Sequence, residues 1–325
     1  MAWKNNTNGI IISTRGPRID KSKSIHTFEV MCDLWMLTKG RLATKTKIQY
    51  RNALEIWKDM FGPDTRIASL THSDVAAQIG SYPWTSPRLV NNYLIALRGV
   101  FRMACREIDM DNPMDGIENS KRQAVPPDPL SIHEMCAVLT WLKGNCDVVV
   151  WAYFEFAFLT GMRPEELIAL KWQDLDHDMR SIQVIRARTG GEFKALKTYH
   201  ARYVDLVTRS RSALEVMRPI TGGSEDGFIF LNPVTDRPWH DDRNQRDFYW
   251  KPALKASKIR YRRSYCTRHT FATVAILAGV NPAYVATQLG HANARMLFTV
   301  YAKWINSADN ARENTKLEAW LLAAT

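Results

Sequence analysis

From Thr27 the chain sets apolar residues among polar ones with the period of a helix, and Phe28, Met31, Leu34 and Trp35 fall at three- and four-residue spacings. A second run, from about Thr44 to Phe61, puts Tyr50, Leu54, Trp57 and Phe61 on one stripe and stops at Gly62-Pro63, a pair that ends helices. Thr71 and Asp74 have the spacing of a capping box, which predicts a short third helix. The fourth is the plainest. Ser86 is a good N-cap, Pro87 takes the first helical position, and Leu89, Tyr93, Leu97, Val100, Ala104 and Ile108 make an apolar face opposite Asn91, Arg98 and Arg102. Periodicity then lapses in DNPMDGIENSKRQAVPPDP, residues 111–129, whose proline and charge mark a domain boundary.

Beyond the boundary, helices are expected at about 131–143 and 147–160, followed by a third opened by Pro164. In SIQVIRA, Ser181 to Ala187, and RYVDL, Arg202 to Leu206, the period shortens to that of a strand, so two strands joined by a long glycine-containing turn are expected. Helical patterns return at about 208–217, 242–256, 268–278 and 282–289. Trp151, Tyr153, Phe154, Phe156, Phe158 and Tyr284 read as packing residues, and His269 as a histidine of the core. The expected fold is mainly α with a small antiparallel β-sheet. Its predicted plan is an irregular basic arm over 1–22, a helical domain over 23–117, a linker over 118–129, a mixed α/β domain over 130–305 and a tail over 306–325, with Leu317, Trp320 and Leu321 at helical spacing.

Composition adds a partner. The 325 residues carry a net charge of +11, divided as +6 over residues 1–125 and +5 over residues 126–325. Excess base in both halves attracts a polyanion over about a Debye length, and nucleic acid is the leading candidate. Lys45, Lys47, Asn91, Arg98 and Arg102 are the first domain's candidate phosphate contacts. Cys32, Cys105, Cys136, Cys146 and Cys266 form no CxxC pair and no metal-ligand spacing, and read as small buried residues in a reducing compartment. No leader pattern and no run of eighteen apolar residues is present, so a cytoplasmic protein without a membrane is expected. Neither a P-loop nor a carboxylate cluster for a metal is seen, and no cofactor is expected.

Two stretches carry chemistry. In FLTGMRPEELIALKWQDLD, from Phe158, Arg163 follows a glycine and precedes a helix, where backbone fixes its planar fork, and Glu166 lies one turn on to orient it. In SYCTRHTFATVAILAGVNPAYVATQLGH, from Ser264, Arg268 and His291 occur ahead of Tyr301. A phenol with a pKa of about 10 is ionised to roughly one part in a thousand at neutral pH, so a reactive tyrosine needs a site that stabilises negative charge as it forms. Two arginines and a histidine around one phosphate would supply that.

Taken in order, TGMRPEE, KTYHARYVDL, YCTRHT, LGH and VYAKW resemble the boxes of the tyrosine recombinase family, most closely the phage integrases. The resemblance covers the second domain and extends to the helical domain ending in DNP, which is similar to the family's core-binding domain. It implies that Arg163 and Arg268 grip the non-bridging oxygens of a scissile phosphate, and that His291 donates to it. It further implies that Lys197, with Lys194 as a neighbouring competitor, protonates the departing 5′ oxygen, that Glu166 supports the first arginine, and that Tyr301 attacks phosphorus. Tyr265 stands where the family has the histidine of HxxR; a phenol donates a hydrogen bond but cannot shuttle a proton near neutral pH as imidazole can.

The function so implied is site-specific DNA recombination of the integrase type on double-stranded DNA sites, by a tetramer, with DNA-bending or directionality proteins as further partners. Dimer-resolving and transposon recombinases share that chemistry. A DNA-binding protein with a decayed site is the alternative of another class.

Overall fold

Thr27 opens the first helix, its hydroxyl accepting from Val30 N, in a computed structural model that describes residues 26–121, 123, 126–196, 200–224, 226–291, 294–305 and 310–323. The predicted arm, 1–22, lies outside the described residues. The chain divides into two units, Met1–Ala124 and Val125–Thr325.

The first unit holds α1 (Phe28–Leu37), α2 (Thr44–Phe61), α3 (His72–Ser81) and α4 (Pro87–Glu107). Thr71 and Asp74 close a capping box on α3, and Ser86 caps α4 ahead of Pro87. The apolar stripes of α1, α2 and α4 meet in one core, with Phe28, Trp35, Trp57, Leu97 and Phe101 buried and the Trp57 indole donating to Tyr93 O at 3.1 Å. Each such side chain contributes roughly 1.5–3 kcal/mol by leaving water.

The second unit begins with α5 (Ile132–Asn145), α6 (Val148–Thr160) and the single turn α7 (Pro164–Leu167). Its centre is α6, whose sequence VVVWAYFEFAFLT is apolar on every side, as a helix surrounded by others must be. Tyr153, Phe154, Phe156 and Phe158 are core residues, and Glu155, buried among them, is paired with Arg209. Further helices follow: α8 (Thr208–Thr221), α9 (Lys251–Ala256), α10 (Cys266–Leu277), α11 (Pro282–Leu289) and α12 (Ala294–Ile305). Residues Asn310–Ala323 form α13, on which Leu317, Leu321 and Leu322 are exposed.

The sheet departs from the pattern read along the chain. Strand β1 (Ser181–Val184) ends three residues early, where Arg186 turns aside to bond both oxygens of Asp174 at 2.7 Å and the carbonyl of Ala169. What had read as a long turn contains a hairpin of its own, β2 (Ala187–Thr189) and β3 (Glu192–Lys194), turning at Gly190 and Gly191, which both have positive φ. The chain then returns as β4 (Arg202–Asp205), antiparallel to β1 with Val184 opposite Arg202. Two short strands, β5 (Leu231–Asn232) and β6 (Arg237–Pro238), make a third pair.

The helix expected over 242–256 is π-helical over Gln245–Trp250, where Lys251 N bonds back five residues to Arg246 O, before α9 begins with Pro252 in its first turn. The cysteines are not uniformly buried either: Cys32 and Cys266 are, Cys105 and Cys146 are half-buried, and Cys136 is exposed on the outer face of α5. Tyr284 lies at the surface and donates to Asp205, so it is not a core residue. Among the described residues, no helix is long and apolar enough to cross a membrane.

Candidate active site

Helix α6 stops because Gly161 turns left-handed, φ +60°, and a Cβ there would lie 2.5 Å from the Phe271 ring. That turn delivers Arg163 to the N-cap of α7. Its backbone N donates to Glu166 Oε2 at 3.0 Å and its Nη1 to Oε1 at 2.8 Å, so the carboxylate one turn on fixes both ends of the arginine. Glu166 is 1% exposed and serves a second cation: Arg202 reaches both its oxygens, at 2.6 and 3.2 Å. Burial opposes ionisation of Glu166, but the hydrogen bonds from Arg202 and the fields of Arg202 and Arg163 outweigh it and hold the carboxyl below its ordinary range.

Arg268, in the first turn of α10, is 2% exposed. Its guanidinium donates to the carbonyls of Gly161 at 2.9 Å and Leu289 at 2.6 Å, tying the end of α6 to the end of α11. Neither partner neutralises it, and burial together with the nearby Arg163 and Arg202 pushes its pKa down to about 10.

His291 follows the left-handed Gly290 that ends α11. Burial first, then the fields of Arg268, Arg163, Arg202 and His269, push the imidazole down to about 4. Its buried Nδ1 has no hydrogen-bond partner among the described residues.

Tyr301, on α12, is 2% exposed and belongs to a small core formed by α10, α11 and α12. Its hydroxyl lies 2.7 Å from His269 Nδ1. Burial raises the phenol's pKa, Arg268 opposing. His269, read from the sequence as a satisfied core histidine, is half-buried and hydrogen-bonded; α10 places it beside Arg268 with its Nδ1 at the tyrosine oxygen, a partner that the sequence did not show. Tyr265, the residue before α10, is 38% exposed and meets the His269 ring edge-on at 5.3 Å.

Residues 130–306 match the family model described as "Phage integrase family". The chain belongs to that family. Within the phage integrase family it is 30% identical over 263 residues to IntQ, designated defective, of Escherichia coli (strain K12), covering 72% of this chain and 64% of IntQ. It is also 27% identical over 343 residues to the prophage integrase IntR of the same strain, covering 92% of this chain and 81% of IntR. The fold is that of the Tn1549 transposon integrase in complex with a circular intermediate DNA, at TM-score 0.72 and 20% identity over 90% of this chain and 99% of that one. A lambda integrase tetramer bound to a Holliday junction has TM-score 0.67 and 17% identity over 82% of this chain and 78% of that one.

The remaining candidate residues of this phage integrase family chain fall in several places. Lys197 lies outside the described residues, while Lys194 is the last residue of β3. In the first unit Lys45 and Arg102 are exposed, and Arg102 lines an open groove with Lys39, Arg98, Arg106 and Trp35. The other three are engaged with the chain itself. Lys47 donates to Gly40 O, Asn91 exchanges two bonds with the backbone of Ser120, and Arg98 reaches Asn119 and Ile117 O. Among the described residues no three His, Cys, Asp or Glu side chains gather as metal ligands would. Arg202 and His269 are what sequence reasoning missed. The first had a signal, a charged residue on the inward side of a strand whose other inward residue is Val204.

Proposed function

We propose that the chain is a site-specific DNA recombinase of the integrase type, cutting and rejoining double-stranded DNA through a 3′-phosphotyrosyl link to Tyr301. One observation carries this reading: of three guanidinium groups, Arg163 and Arg202 share the carboxylate of Glu166, while the buried Arg268 meets only the carbonyls of Gly161 and Leu289 and has no carboxylate of its own. Buried cations in excess of anions are costly unless a further anion arrives. A phosphodiester supplies it. Arg163 and Arg268 take its non-bridging oxygens, and Arg202 acts through Glu166 to keep Arg163 in place. His291 has an unpartnered ring nitrogen to offer, Tyr265 a hydroxyl, and Lys197 a proton for the 5′ oxygen that leaves. The arrangement stabilises charge where it develops, and removing one such donor costs about a hundredfold or more in rate. The tyrosyl ester retains the energy of the broken phosphodiester, so the strands rejoin without ATP.

In this reading four copies act on two DNA sites in the cytoplasm or nucleoid, and accessory DNA-bending proteins set direction. Dimer-resolving and transposon-borne recombinases share the chemistry and differ in the sites joined. The test is a duplex nicked near the crossover point, which traps the covalent intermediate. Wild type accumulates an adduct, Tyr265→Phe accumulates it more slowly, and Tyr301→Phe forms none; an adduct persisting in Tyr301→Phe contradicts the reading. Exchange of strands between two short duplex sites separates recombination from simple nicking and closing.

A further inference from the structure

The proton of the tyrosine hydroxyl has to leave as Oη bonds to phosphorus, and Tyr265, which stands where the family pattern has histidine, is a neutral phenol that cannot take and hold it near neutral pH. The structure offers another group. His269 Nδ1 is 2.7 Å from Tyr301 Oη, Tyr301 is 2% exposed, and that oxygen has no other hydrogen-bond partner among the described residues. We propose that His269 is a catalytic residue: its Nδ1 accepts the proton of Tyr301 Oη as Oη attacks phosphorus, and returns it when the 5′ hydroxyl reseals the strand. The proposal rests on Tyr301 being the nucleophile.

The step balances. The O–H bond of Tyr301 breaks and its proton forms N–H on His269; the Oη–P bond forms as the bond from phosphorus to the 5′ oxygen breaks, and that oxygen takes a proton from the lysine side. The charged and titratable groups facing His269 are Tyr265 just before α10, Arg268 on α10, Tyr301 on α12, and His291 beyond α11. Burial, then the field of Arg268, push His269 down to about 4, so the ring is neutral at pH 7 and carries a bare nitrogen. Beside a phenol that keeps its proton, that nitrogen is the acceptor. The same field makes His269 a poor base while the site is empty, which keeps the nucleophile protonated. A phosphodiester seated among the guanidinium groups cancels that field and raises the proton affinity of His269, coupling activation of Tyr301 to the arrival of DNA.

The experiment uses the full chain and the nicked duplex, reading the single-turnover rate of adduct formation from pH 6 to pH 9. Asparagine can accept a hydrogen bond in place of Nδ1 but cannot hold the proton. His269→Asn is therefore expected to form adduct about a hundredfold more slowly at pH 7, with a rate that climbs about tenfold per pH unit as the phenol ionises to solvent. His269→Ala is expected to be as slow and to be partly restored by added imidazole. A His269→Asn rate near wild type, or a slower one with the wild-type pH profile, overturns the proposal, the second assigning His269 to positioning alone; so does His269→Ala without imidazole rescue. Tyr301→Phe keeps the two readings apart. An adduct there removes the nucleophile assignment itself, whereas none there, with wild-type cleavage in both His269 variants, removes the present proposal alone.

Discussion

Glu166 is the residue on which the charge balance of the site turns. Its oxygens hold Arg163 and Arg202 at 2.8 and 2.6 Å in a place almost closed to water, and truncating one partner of a buried pair leaves the others unpaired. Glu166→Ala is expected to lose about 3–5 kcal/mol in urea unfolding, while the exposed Asp178→Ala stays within about 0.5 kcal/mol. Equal effects would show that the two arginines find other anions. The histidines set an acid limit. His269 and His291 are pushed down to about 4 from the ordinary 6.5, so between those values the unfolded chain binds protons that the native one does not. Their contribution is intact above about pH 6.5 and is lost as the pH falls towards 4. The melting temperature should fall over that window, and fall less steeply in His269→Asn; a flat or rising profile contradicts the burial of these rings. The arginine, histidine and tyrosine boxes were legible in the sequence because they are short and ordered. His269 was not, since adjacency to Arg268 along a helix says nothing of what the next turn faces.

At the scale of elements, the site is assembled by chain ends. Gly161 and Gly290, both left-handed, end α6 and α11, and the carbonyls of Gly161 and of Leu289, the residue before Gly290, receive Arg268. Gly290 also lets Arg202 pass: a Cβ there would meet the arginine at 2.9 Å in a backbone conformation that L side chains rarely adopt. Gly290→Ala is expected to cost about 1–3 kcal/mol and to slow adduct formation by shifting Arg202 from Glu166. Gly144→Ala, with nothing within 4 Å of its Cβ near the end of α5, should be neutral or gain up to about 1 kcal/mol. Calorimetry of the two variants checks this, and similar melting temperatures would refute it. Helices with caps and stripes, such as α2 and α4, were readable almost to the residue. The β2–β3 hairpin was not: three-residue strands have too few positions for a period, and Gly190-Gly191 marked a turn without showing that strands flank it. The π-helical stretch before α9 escaped for a related reason, because apolar spacing over six residues does not separate a five-residue hydrogen-bond register from a four-residue one.

For the whole molecule, the +11 charge decides how it meets DNA. Because both halves are basic, contacts to six or more phosphates would make affinity fall about a thousandfold or more between 50 and 200 mM salt, as released counterions return. A nearly flat salt profile in a gel-shift titration would remove phosphate contact as the source of binding. Fold and charge alone, however, do not separate a protein that cleaves DNA from one that occupies it. That difference rests on the phenol at 301 becoming joined to DNA among its guanidinium neighbours. The most direct measurement is to trap the adduct on a nicked duplex, digest it with trypsin and sequence the peptide that carries nucleotide. Nucleotide on Tyr301, in the peptide of residues 296–303, is the expected result; nucleotide on Tyr265, in the peptide of residues 264–268, or on no tyrosine at all, would contradict the account.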